Sequence, residues 1–178
     1  MRHFSALCLA LLATAAVHTP AAADPREISV VPESELRFGS FAVMGAGARS
    51  VAANGTVTDS FILPTQAGDT GPARFTVSYD RGNASRRSLD IEVELVLAPI
   101  GPVTQGGVTA QIGAFESTLP NHPTIVPGQA IRISMPNCVT RVCARSFAIG
   151  GRIDVTRNFG GADLSIPLVF DATVVSLR

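Results

Sequence analysis

Lysine is absent from all 178 residues, as is tryptophan; every basic side chain is arginine, and Tyr79 is the only tyrosine. Without lysine, neither a Schiff base nor an isopeptide link through a lysine side chain can form. Histidine is scarce as well. His3 and His18 fall in the N-terminal segment described below, which leaves His122. A metal centre built on two or more histidines of one processed chain is thereby excluded. No Ser lies in a G-x-S-x-G elbow. Gly45-Ala46-Gly47 does not extend to G-x-G-x-x-G and no P-loop occurs, so nucleotide binding has no support. Apolar residues nowhere recur at i, i+3, i+4 and i+7 over a long run, so no substantial helix is expected. An excess of charge is missing too. Residues 24–178 hold 13 arginines against 14 acidic side chains, a balance that points to neither nucleic acid nor an anionic membrane surface.

What is present begins with a leader. Met1-Arg2-His3 is basic, Phe4 to Val17 is apolar, and Ala21-Ala22-Ala23 supplies small residues before Asp24-Pro25. That order reads as a secretory signal peptide over residues 1–23. Its apolar run is shorter than the roughly 20 residues a membrane-spanning helix needs, and no other long apolar segment follows. The remaining stretch, 24–178, has the length of a single domain with a sizeable core. Cys8 leaves with the leader. Cys138 and Cys143 remain, spaced C-V-T-R-V-C, and in an exported chain two cysteines this close are expected to form a disulfide. Zinc would require further ligands that His122 alone does not provide, and the spacing is not the redox-active C-x-x-C.

Gly and Pro are scattered along the chain and cut it into short segments, the pattern of an all-β sandwich. Period-two alternation is strong. Phe75, Val77 and Tyr79 share one face of Ala73–Asp80. Leu89, Ile91, Val93 and Leu95 oppose Asp90, Glu92 and Glu94. Ile131, Ile133 and Met135 alternate with Arg132 and Ser134, and Ile153 and Val155 with Arg152, Asp154 and Thr156. Leu164–Leu177 reads as one closing strand with Ile166, Leu168, Phe170, Ala172 and Val174 on one face, Pro167 placing its start at an edge or bulge. Asn54-Gly55 predicts a type I′ hairpin turn, Asp80–Arg86 a second hairpin tip, and Pro120–Gly128 a proline-rich connection. The fold expected is an antiparallel, immunoglobulin-like β-sandwich of about eight to ten strands.

Few side chains invite chemistry. Asp90, Glu92 and Glu94 form an acidic comb, but carboxylates two residues apart on a strand are separated by roughly 6.6 Å, which suits a solvated face better than one calcium ion. Arg81, Arg86 and Arg87 surround Asn83 and could hold an anion or simply solvate a loop. His122, between Asn121 and Pro123, is the only candidate general base and reads as a loop histidine. The sequons Asn54-Gly55-Thr56 and Asn83-Ala84-Ser85 read as turn chemistry. No catalytic residue, metal ligand or cofactor is assigned.

The order of several short elements is similar to a known family. Leu36-Arg37-Phe38-Gly39-Ser40-Phe41 precedes Gly55-Thr56-Val57-Thr58; Gly71-Pro72-Ala73-Arg74-Phe75-Thr76-Val77 follows, then Ile112-Gly113-Ala114-Phe115, Ile149-Gly150-Gly151-Arg152-Ile153 and a closing strand Phe170–Val175. Together these resemble the secreted bacterial family called domain of unknown function 4402, over about Ile28 to Leu177. Asn158–Leu164 departs from the G-x-Y-x-G-like segment common there, and the cysteine pair is not a family trait. The resemblance implies an exported Gram-negative β-sandwich, loosely similar to fimbrial subunits and the spore coat U domain, with no catalytic residues to carry over. The expectation is therefore a non-enzymatic protein of the periplasm or cell surface. It would work in surface assembly or adhesion, associating with itself or with other envelope proteins. Strand pairing is the expected mechanism, with Ile28 and Val30 in the candidate donor segment 26–31 and 164–177 as the candidate edge. The alternative is a monomeric periplasmic ligand-binding module, for which one tyrosine and no tryptophan give a sparse lining.

Overall fold

A computed structural model of the chain describes residues 27–66, 69–157 and 161–178. The expected leader, 1–23, lies outside them. Thirteen strands occur among the described residues. They are β1 (Glu27–Ser34), β2 (Leu36–Val51), β3 (Val57–Pro64), β4 (Thr70–Gly71), β5 (Ala73–Asp80), β6 (Leu89–Leu97), β7 (Val103–Gln105), β8 (Val108–Ser117), β9 (Thr124–Ile125), β10 (Ala130–Cys138), β11 (Val142–Arg157), β12 (Gly161–Ile166) and β13 (Phe170–Leu177). The count exceeds the expected eight to ten because short pairing segments such as β4, β7 and β9 lie within what the sequence presents as loops.

Every pairing is antiparallel. Ten strands form one sheet along the path β1-β5-β11-β2-β12, with β3 and β4 on β2, and β8 on β11 carrying β7 and β9. The other three make a small sheet, β10-β6-β13. The long strand β11 organises the large sheet. Its first half runs beside β5 and its second half lies between β2 and β8. The sheets meet through an aromatic trio, one residue each from β5, β11 and β13. Phe75 stacks on Phe147 at 5.4 Å, and Phe170 meets both edge-on at 5.0 and 5.5 Å. Leu36, Phe38, Ile91, Leu95, Leu97, Ile149 and Ile153 are fully buried in the same contiguous core.

The alternation places side chains as read. Along β5, Ala73, Phe75, Val77 and Tyr79 are buried, and along β6 so are Ile91, Val93, Leu95 and Leu97. Three local expectations are corrected. The segment after Asp80 is not a hairpin tip, because β5 and β6 belong to different sheets. Two amphipathic strands can bury the same faces by stacking as well as by pairing, so alternation does not distinguish the two arrangements. The turn at Asn54-Gly55 is not type I′. Gly55 has φ +90°, Asn54 keeps negative φ, Gly55 N–H donates to Ala52 O at 2.9 Å and Ala52 N–H to Thr56 O at 2.8 Å. That is a three-residue loop, a type I turn closed by a left-handed glycine. Finally, Leu164–Leu177 is two strands. It leaves the large sheet after Ile166, passes Pro167 and enters the small sheet at Phe170. Ile166, Leu168 and Phe170 all stay buried through the switch, since the inner faces of both sheets line one core.

Candidate functional surface

Where the two sheets meet at their edges, the sandwich has two sides, and their chemistry differs. One side is formed by β10 and the first half of β11. Asp90 and Arg178 exchange both main-chain bonds at 2.7 and 2.9 Å, so the even-numbered residues of β6 bond towards β13 and the odd-numbered ones towards β10. Ile131, Ile133 and Met135, opposite Leu95, Val93 and Ile91, therefore face β6 with their amides, and Arg132 and Ser134 turn theirs to the free edge. That edge is capped. Arg145 shares the inward parity of Cys143 and Phe147 on β11, and its Nη1 donates to Ser134 O at 2.6 Å. His122 Nε2–H donates to Arg132 O at 2.9 Å. Pro136 offers no amide. The Cys138–Cys143 disulfide, with Cα atoms 5.9 Å apart, ties β10 to β11 at the end. A cleft of about 590 Å³ lies over the bridge, walled by Met135, Val139, Val142 and Arg145. Inward charges, prolines and plugged carbonyls are the devices that keep an edge from pairing.

The opposite side, formed by β1 and β13, has no such plugs among the described hydrogen bonds. Ile28 and Val30 sit on β1 opposite Tyr79 and Val77 of β5 and are only partly buried, as are Ala172 and Val174 on β13. Val31, Val175 and Leu177 are exposed around them. In this structure the segment carrying Ile28 and Val30 is thus the first strand of its own sheet, tied to β5 by a Ser29–Ser78 hydroxyl contact at 2.8 Å. Of the expected acceptor edge, β13 is an edge of the small sheet and β12 an edge of the large one.

Two features lay beyond sequence reading. Met44 and Phe61 are more than 80% exposed, and Leu63 is exposed beside them. They project where β2 bulges: four residues, Met44 to Gly47, stand against Phe61 alone. Phe61 has φ +55°, a left-handed conformation uncommon for a bulky side chain. An apolar cleft of about 530 Å³ runs between Met44–Ala46 and Phe61–Leu63. The second feature is Arg49, 1% exposed. Its Nε and Nη2 reach Asp59 at 2.6 and 3.1 Å, its Nη1 donates to Phe38 O at 2.6 Å, and its guanidinium lies 5.3 Å from the Phe41 ring centre. Arg49 and Asp59 are direct cross-strand partners on β2 and β3, but the pair is visible in sequence only once that register is known.

The flagged polar residues serve structure. Glu94 pairs across the strand with Arg132 at 3.5 Å, and Asp90 accepts the Asn137 main-chain amide at 2.8 Å, so two of the comb's three carboxylates turn to different partners. Arg81 is buried and donates to Arg87 O and Cys138 O, which pins the crossover between sheets; it does not join the exposed Arg86 and Arg87 in one cluster. Asn54 and Asn83 each accept the amide two residues on, from Thr56 and Ser85, as Asx turns do. Arg141 donates to Asp80 at 3.1 Å, and with the Gly82 amide it holds the Asp80 carboxyl below its ordinary value. Arg152 is raised by its bond to Asp154. Among the described residues no three His, Cys, Asp or Glu side chains cluster as a metal site, and no helix is long and apolar enough to cross a membrane.

An all-β, two-sheet domain is thereby defined, with one side plugged and the other without such plugs among the described residues. Residues 28–165 match the model of a family described as domain of unknown function (DUF4402), and the chain belongs to that family. The match stops within β12, so β13 lies beyond it, short of the expected reach to Leu177. No curated protein and no solved structure matches the chain.

Proposed function

We propose that this is an exported, non-enzymatic protein of the Gram-negative cell envelope that acts in surface assembly or adhesion by pairing a strand or a surface with a neighbour. The observation that carries the reading is the contrast between the two sides of the sandwich: arginine, histidine, proline and disulfide close one edge, and half-buried Ile28, Val30, Ala172 and Val174 leave the other incompletely covered. Main-chain groups of an open edge give affinity, and the alternating side chains beside them give selectivity. The donor segment first expected, around Ile28 and Val30, is engaged with β5, which moves the reading to β13 as the pairing edge.

A monomeric ligand-binding module remains the second reading, favoured by the apolar cleft beside the left-handed Phe61. The test is sedimentation of the exported protein over a wide concentration range, together with cross-linking in intact envelopes. Concentration-dependent association or a defined envelope partner supports assembly. A monomer in both settings that binds a small apolar ligand, with binding lost in Phe61→Ser, replaces it with the binding module. Turnover lost in His122→Ala overturns the non-enzymatic reading altogether.

A further inference from the structure

The assembly reading leaves the partner open. Resting on that reading, we propose that the partner of β13 is the β13 of a second copy, paired antiparallel about a two-fold axis at Ala172. The two small sheets then join as one six-stranded sheet.

The free edges of the described strands are not equivalent. The β10 edge is plugged by Arg145 and His122. β1 contains Pro32, and its register shifts beside it. A two-fold pairing about its middle, Val30, would also set Glu27 against Glu33. β3 is interrupted at left-handed Phe61 and ends in Pro64. β12 has six residues with Pro167 just beyond, and β7 and β9 have three and two. Prolines, short length and register breaks are what make an edge a poor template. β13 has eight residues, no proline and one charge, Asp171.

The register follows from hydrogen-bond parity. The even-numbered residues of β6 bond to β13, and Val96 and Glu94 lie opposite Asp171 and Thr173. Asp171 and Thr173 are therefore engaged, and the amides and carbonyls of Phe170, Ala172 and Val174 point to the open edge. A β-bulge interrupts the strand between Val174 and Ser176, so the regular stretch is Phe170–Val174. A two-fold antiparallel pairing must match outward residues with outward residues. Centred on Asp171, it would oppose two carboxylates. Centred on Thr173, it would run Phe170 into the bulge. Centred on Ala172, it pairs Phe170 with Val174, Ala172 with itself, and exposed Asp171 with exposed Thr173 of the other copy, leaving the bulge outside. Like charges directly opposite are destabilising, whereas a carboxylate beside a hydroxyl is compatible. An isologous pairing of this kind closes after two copies and does not propagate into a fibre.

The test uses the full chain, exported and purified, in sedimentation equilibrium from micromolar to millimolar concentration. The wild type is expected to form dimers and nothing larger. Ala172→Pro removes the amide at the two-fold centre while leaving the ladder to β6 intact, and should weaken dimerisation at least about tenfold. Residue 173 supplies a signed test that does not depend on tolerance of that proline. Thr173→Arg faces Asp171 of the partner twice and should tighten the dimer; Thr173→Glu faces it twice with like charge and should loosen it. A strictly monomeric wild type overturns the proposal, as does a dimer indifferent to Ala172→Pro and to the sign of the charge at 173. If the protein is monomeric alone but cross-links to a different envelope component, the self-pairing fails and the assembly reading stands. If it is monomeric in both settings, both fail.

Discussion

Removing the carboxylate of Asp59 tests the buried ion pair of Arg49. In Asp59→Ala, the Arg49 guanidinium keeps Phe38 O but loses both bonds to the carboxylate, and its side chain is only 2% exposed. Deleting one partner of a buried pair costs about 3–5 kcal/mol, because the other charge is left unsatisfied. The Asp59 side chain is 27% exposed, so water can reach the vacated side, and the lower end, about 3 kcal/mol, is expected. For a domain of this size each kcal/mol lowers Tm by roughly 2–4 °C, giving a drop of roughly 6–12 °C. Replacing both partners, as Arg49→Met with Asp59→Val, removes charge and countercharge together and should recover most of the loss. Paired thermal and urea melts of the wild type, Arg49→Met, Asp59→Val and their double variant yield the coupling directly. A single Asp59→Ala change that costs less than about 0.5 kcal/mol, in the range of exposed ion pairs, would refute the reasoning.

Other perturbations address separate parts of the frame. Protein from an oxidising compartment should contain no free thiol and one Cys138–Cys143 bridge by peptide mass mapping; replacing both by Ser should cost about 2 kcal/mol, the loop-closure value for so short a ring, and two free thiols or a bound metal would contradict the pairing. Gly150→Ala sets a Cβ into the backbone of the β2–β3 turn, against Val51 O and Ala53 N, and should destabilise by about 3 kcal/mol or prevent folding, read as loss of soluble yield and of the thermal transition. Asp80 titrates below its ordinary value when folded, so its contribution to stability is present above the unfolded value, near 3.8, and fades as pH falls through the lower folded one. Arg141→Gln removes the main cause, and a carboxyl NMR titration should show Asp80 moving up towards its usual range.

Legibility followed the range of the signal. Alternation is local, and it assigned the inner faces of β5, β6, β10 and the closing segment residue by residue, because period two depends only on the strand itself. Sheet membership is not local. Asp80 to Leu89 looks like a hairpin from either flank, and only the packing of Phe75 and Phe147 against Phe170 shows that the chain crosses between sheets there. The same holds for Arg49. Nothing near it in sequence marks a buried guanidinium, since its carboxylate lies across a register that a bulge of four residues has shifted. Phe61 is illegible for a different reason: a phenylalanine flanked by Ser60 and Ile62 reads as core, and its exposure follows from a left-handed backbone that no propensity signals.

The residues behind the family resemblance are explained by packing. Phe38, Ala73, Phe75, Val77, Phe115 and Ile149 are core, Gly55 makes the turn between β2 and β3, and Gly150 admits that turn against β11. Membership in the family therefore accounts for the frame and says nothing about what the frame does. The features that could engage another molecule lie elsewhere: on β13, beyond the matched residues, and at the bulge carrying Met44 and Phe61. The plugs at Ser134 O and Arg132 O argue in the same direction. The partly buried Arg145 orders a long side chain to reach its carbonyl, and His122 orders a loop to reach the other; both orderings cost conformational entropy, which is offset if capping keeps the edge from pairing. Among the described residues β10 is capped and β13 is not, and that contrast is why the proposed strand pairing is placed at β13.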